Sequence, residues 1–167
     1  MSISSILNKS VRRNNHYNDV VNLLVYGDLP GSKGGRNAKV FNDIKDLIVF
    51  SALIGEHYQL KESVDSKNST GITLLTFAGS GSGRSSKLDQ HNIIFLISLF
   101  THEDMNMIRD ENVDEAIHLF EQYSNGGLGR IRQWLIDSAW NSLALLDRIV
   151  DVLPESSIGQ APEDNPF

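Results

Sequence analysis

Apolar positions along this chain recur mostly at helical spacing. In residues 18–26, Val20, Val21, Leu24 and Val25 form one stripe, and Asn18 is placed to cap the first turn. The next helix is expected from Asn42, its N-cap, with Asp43 and Asp46 at the positive end of the helix dipole. Ile44, Leu47, Ile48, Ser51 and Ile54 line one face, but Val49, Phe50 and Leu53 make the opposite face apolar too. A helix apolar nearly all round belongs at the centre of a bundle. Residues 61–70 are polar and read as a loop. Gly71–Ala78 alternates and is rich in β-branched residues, so it is the strand candidate. A third helix, Leu88–Phe100, again carries apolar residues on every side.

Thr101 could cap a helix starting at His102. Asn112 with Glu115 three residues on has the form of a capping box, and Ala116, Leu119, Phe120 and Tyr123 follow at i, i+3, i+4 and i+7. Asn125-Gly126-Gly127 supplies residues suited to a left-handed helix terminus. Leu128, Ile131 and Leu135, then Ala139, Leu143, Leu146 and Val150, mark one or two further amphipathic helices ending before Pro154. The expected fold is therefore mainly α, a compact single-domain helical bundle with at most a small β element at about residues 72–78. Residues 1–17 are expected to be a flexible basic segment, 18–153 the helical domain and 154–167 a disordered tail.

Composition narrows the classes. The 167 residues include no cysteine, which excludes disulfide scaffolds, thiolate metal sites and cysteine nucleophiles. No apolar run approaches the ~18 residues of a membrane span, and the first residues lack signal-peptide order, so a cytoplasmic protein is expected. The net charge of −6 is unevenly spread: residues 1–41 carry +4 and the remainder −10. Two surfaces follow. Arg12, Arg13, Lys33, Arg36 and Lys39 could contact a nucleic-acid backbone. Glu103, Asp104, Asp110, Glu111, Asp114 and Glu121 could face a basic protein partner.

Catalytic patterns are weak throughout. Gly79-Ser80-Gly81-Ser82-Gly83-Arg84 follows the strand candidate and precedes a helix, as phosphate-binding turns do. It lacks the Lys-Ser/Thr of a P-loop, and a flexible linker accounts for it better. Gly79–Gly83 also spells a nucleophile elbow, but without the α/β sheet that an elbow needs behind it. Asp104–Glu115 has oxygen ligands at several calcium-loop positions, yet Ile108 and Arg109 stand where a ligand and the turn glycine are required. The five histidines show no zinc-helix spacing; Glu115 and His118 form one half-motif of a di-metal bundle without its companions. Trp134 and Trp140 are expected in the core, an interface role falling to whichever lies off the Leu128–Ile131–Leu135 stripe. Arg130 and Arg132 could pair with Asp137 or Glu121. No catalytic residue, cofactor or metal is expected.

Two segments carry a resemblance. Phe41 to Gly55 matches a pattern of phenylalanine, Lys-Asp and an apolar run ending in Ala-x-x-Gly. Glu121-Gln122-Tyr123-Ser124-Asn125-Gly126-Gly127-Leu128 matches Glu-x-Tyr-Ala-Asn-Gly-Gly-Leu, with Ser124 in place of alanine. Over about Phe41 to Leu153 the chain resembles small accessory proteins encoded beside DNA-phosphorothioation (Dnd) modification and restriction genes. That resemblance implies antiphage defence, a multi-protein system and DNA nearby, and brings no catalytic residues. A non-enzymatic adaptor that contacts protein subunits of the same system is the resulting expectation. Direct nucleic-acid binding is the alternative, and a small nucleotide-dependent enzyme ranks third. A homodimer through a helix face is a further expectation, because two nearly all-apolar helices in a short chain exceed what one small core covers.

Overall fold

The computed structural model describes residues 6–31, 39–79 and 90–152. It begins with a strand, β1 (Ser10–Asn14), and a 3-10 turn at Asn15–Tyr17. Helix α1 (Asn18–Val21) continues into a π-helical turn, Asn22–Tyr26, closed by Gly27 in the left-handed region. Helix α2 (Ile44–His57) is followed by β2 (Ser69–Thr73), a short α3 (Leu74–Phe77) and α4 (His91–His102). Two 3-10 turns, Met105–Ile108 and Asp110–Asn112, lead into the 25-residue α5 (Val113–Asp137). Helix α6 (Ala144–Val152) comes last. The fold is mainly α with a two-stranded antiparallel sheet, β1 pairing β2 with Arg12 opposite Gly71. No described helix is long and apolar enough to cross a membrane.

Helices α2 and α5 share the largest interface and form the centre. Leu47, Ile48 and Ala52 from α2 are buried, as are Phe120, Tyr123, Leu128 and Ile131 from α5. The all-round apolar α2 of the sequence is thus a central helix.

Contrary to the sequence expectation, α5 does not end at Asn125-Gly126-Gly127; it runs through it. Glycine in a helix interior costs about 1 kcal/mol against alanine, so something must offset it. A Cβ on Gly127 would collide with the Ser51 carbonyl, and one on Gly55 with the Tyr123 carbonyl. The two backbones therefore touch directly. Gly126 likewise lies against the Leu60 carbonyl. These glycines serve close approach, not chain reversal.

Other expectations are corrected in detail. The strand predicted at Gly71–Ala78 stops at Thr73, because Leu74 and Phe77, three apart, are both buried, which is helical spacing. Phe77 then meets Phe120 edge to face at 6.2 Å. The basic N-terminal segment is not free from Ser10 onward: Val11 is 1% exposed and β1 is packed on α5. Thr101 caps nothing; its hydroxyl donates to the Ile97 carbonyl inside α4, and Glu103 in the left-handed region ends that helix. The Asn112–Glu115 box does not form, since the Asn112 amide donates to the Asn106 carbonyl at 2.8 Å. Neither Asn18 nor Asn42 is an N-cap: Asn18 is already helical, and Asp43 precedes α2. In α6 the buried face is Leu145 with Ile149, while the predicted Leu143, Leu146 and Val150 are exposed. The Gly81–Arg84 part of the glycine loop and the 154–167 tail lie outside the described residues.

Candidate interaction surface

Strand β1 lies beside α5, and side chains of α5 close its outer edge. Glu121 Oε1 accepts the Arg12 backbone N–H at 2.7 Å, and Asn125 Oδ1 accepts that of Asn14 at 2.8 Å. The Asn125 amide returns a bond to the Arg12 carbonyl. Residues four apart on a helix thus face alternate residues of a strand and stand in for a third strand. Glu121, expected on a partner surface, is instead 7% exposed. Burial pushes its carboxyl above the usual glutamate value, opposed by the Arg12 N–H bond and by the charges of His118 and Arg12.

Above Glu121 opens a cleft of about 380 Å³, lined by Lys9, Arg12, Asp114 and His118 among others. Lys9 Nζ holds Asp114 at 2.6 Å, and His118 Nδ1 lies 3.9 Å from Glu121 Oε2. Asp114 and Glu121, expected on an acidic partner surface, thus share this cleft with Arg12 of the expected basic surface, and Asp114 is paired by Lys9, which the sequence did not single out. Among the described residues, no group of three or more His, Asp or Glu side chains is placed to hold a metal ion.

The five candidate nucleic-acid contacts fare unequally. Arg12 and Lys39 are exposed, Arg13 is 6% exposed, and Lys33 and Arg36 lie outside the described residues. Arg13 donates to the Asn14 carbonyl, and burial lowers its pKa. A buried guanidinium cannot reach a phosphate backbone.

The acidic residues divide differently. Glu103, Asp104, Glu111 and Asp114 are exposed along the turn from α4 to α5, and the Asp110 side chain is not described. Asp104 Oδ1 accepts the Asn106 N–H and fixes the turn. Two side chains missed by the sequence reading share this segment: Phe100 is 73% exposed and Met105 66%, with Leu96 at 47% one turn before Phe100. The sequence shows α4 apolar on every side, and only its packing against α5 reveals that Leu96 and Phe100, four apart, lie on the uncovered face. Large apolar side chains rimmed by charge mark protein contact sites.

The remaining candidates are structural. Trp134 is buried on its stripe, 6.1 Å from Tyr58 edge to face; Trp140 packs partly against the core. Arg132 pairs with Asp19 at 2.7 Å and Arg130 lies over the Tyr58 ring, neither partner being one expected from sequence. Glu62 gathers the Tyr17 hydroxyl, the Asn14 amide and His16. Burial and the Glu62 bond raise the Tyr17 pKa.

Residues 10–165 match the family described as DNA sulphur modification system-associated protein 4. The chain belongs to that family. No curated protein and no solved structure matches it. The family's description associates it with a DNA sulphur modification system. The segment that carried the resemblance proves internal: Tyr123 and Asn125 are fully buried and Gly127 is the helix contact.

Proposed function

We propose that this chain is a non-enzymatic accessory or adaptor component of a DNA-phosphorothioation-linked antiphage defence system and works through protein–protein contacts. One observation carries the reading: Phe100, near the end of α4, and Met105, just beyond it, stand exposed in the segment that also exposes Glu103, Asp104 and Glu111. An apolar anchor inside a charged rim is the usual anatomy of an interface. The rim is acidic, so the fitting partner is a subunit with basic residues around an apolar socket, a property of proteins that handle DNA. Family membership supports the setting.

Co-purification with the products of neighbouring genes tests this. A stable complex is expected, weakened at least tenfold by Phe100→Ala with Met105→Ala. Glu103→Lys with Asp104→Lys should slow association and flatten its salt dependence. Absence of any complex, or a complex indifferent to all four changes, would overturn the proposal.

A further inference from the structure

Strand β2 has a bare edge. Its ladder to β1 runs through one set of backbone groups: Leu74 N–H donates to the Lys9 carbonyl and Asn15 N–H to the Asn68 carbonyl. On β1 the intervening residues, Arg12 and Asn14, turn their N–H groups away, toward α5. In an antiparallel pair the residues opposite them turn away on the other side. The register places Ser69, Gly71 and Thr73 in that position. Among the described residues no partner strand lies along this edge; the Thr73 carbonyl, as N-cap of α3, serves the first turn of that helix, and Gly71 and Thr73 are solvent-exposed. So, among the described residues, one edge of the sheet is closed by Glu121 and Asn125, and the other carries no strand.

We infer that this edge pairs with the same edge of a second copy of the chain, giving a continuous four-stranded sheet, β1-β2-β2-β1, across a two-fold axis at Gly71. The segment Ser69-Thr70-Gly71-Ile72-Thr73 is self-complementary about its centre. The outward groups sit at the middle residue and two positions to either side, so antiparallel pairing sets Gly71 against Gly71 and Ser69 against Thr73 of the other copy. The Gly71 pair can exchange both backbone bonds, and in each Ser69–Thr73 pair the Thr73 N–H can donate to the Ser69 carbonyl. The Ser69–Thr73 pairs add facing hydroxyls, a favourable cross-strand combination. Charge favours a self-contact as well. The chain carries −6 overall, yet this strand has no charged residue, so two copies meet there without like-charge repulsion. The charges and prolines that guard a bare edge are missing too. Two strands alone make a marginal sheet, and closure to four removes that weakness.

Thr73 supplies a selective test. Its φ is −66° with extended ψ, the geometry of proline, and its N–H points outward. Thr73→Pro therefore keeps the β1–β2 ladder and removes an outer donor. Sedimentation across a concentration series should give a dimer, twice 18.6 kDa, for the wild-type chain and a monomer for Thr73→Pro with unchanged circular dichroism. A wild-type chain monomeric at every concentration overturns the inference, and so does a dimer that survives Thr73→Pro. Should the variant misfold, amide exchange on the wild type decides. Gly71 and Thr73 amides gaining protection as concentration rises supports the pairing, and concentration-independent exchange refutes it. The acidic turn of the proposed function plays no part in this contact, so either reading can fail alone.

Discussion

Gly127 gives the sharpest test of how α2 and α5 are held together. Replacing it with alanine has two opposed effects. In a helix interior, alanine is favoured over glycine by about 1 kcal/mol. Against that, the new methyl would overlap the Ser51 carbonyl and crowd the Gly55 nitrogen at 2.9 Å. Both obstacles are backbone atoms of one helix, so no rotamer change relieves them. The helices must part by roughly an ångström, and a gap of 0.5–1 Å forfeits about a quarter to a half of each pair's dispersion energy. That loss falls on Leu47, Ile48, Ala52, Phe120, Leu128 and Ile131 together. Overpacking commonly costs about 1–3 kcal/mol; with backbone on both sides we take about 4, leaving about 3 net. For a chain of this size the melting temperature should fall by about 6–12 °C. Gly129→Ala is the internal control, because its Cβ would meet only side-chain ends, the Tyr17 hydroxyl at 2.9 Å and Glu62 Oε2 at 3.9 Å, and no backbone. It should stay within about 1 kcal/mol of wild type. Thermal and urea denaturation of both variants decides, and a Gly127→Ala protein at least as stable as wild type would refute the direct backbone contact.

Asn125→Ala should destabilise the protein by about 1–3 kcal/mol, since the buried Asn14 N–H loses its acceptor; urea denaturation measures it, and a loss under 1 kcal/mol would refute the edge-closing role. Glu121, its pKa raised by burial, contributes stability that is fully present below the normal glutamate pKa and is lost as pH rises through the raised value. Glu121→Gln retains an acceptor for the Arg12 N–H without the buried charge, so its melting temperature should gain on wild type between pH 4 and pH 8; parallel pH profiles would show the reasoning wrong. In fluorescence anisotropy with duplex DNA, Arg13→Ala should leave the salt slope unchanged, because that guanidinium is buried. A slope reduced by about one would restore it as a phosphate contact.

The sequence made the helices legible wherever burial follows a single face. The central character of α2 came from Val49, Phe50 and Leu53 filling the side opposite Ile44, Leu47 and Ile48. Where two elements meet backbone to backbone, pattern fails. Asn-Gly-Gly reads as a helix end because its local preference is for turns, and only the Ser51 carbonyl explains why the helix continues. The N-terminal strand was hidden for a similar reason. Ser-Val-Arg-Arg-Asn has a single apolar residue, and its second edge is closed by Glu121 and Asn125, more than a hundred residues away. Of the candidate surface, the exposed acids were readable as charge. Phe100 and Met105 were not, because composition does not say which face of an apolar helix stays uncovered.

The segment from Glu121 to Leu128 and the exposed end of α4 answer to different demands. Most of Glu121–Leu128 turns inward: Glu121 and Asn125 close β1, Gly127 touches α2, and Tyr123 and Leu128 fill the core. Glu121, Asn125, Gly126 and Gly127 tolerate little change, since each of them meets a fixed backbone atom. Phe100, Glu103, Asp104 and Met105 are exposed, and among the described residues the only side-chain bonds from this group are those of Asp104 to Asn106 within the turn. Substituting the first group should lower stability and reduce binding only through the loss of folded protein. Substituting the second should leave denaturation curves within about 0.5 kcal/mol of wild type while binding falls. A Phe100→Ala protein that loses stability as severely as Asn125→Ala would place that ring in the scaffold and remove the anchor from the proposed interface.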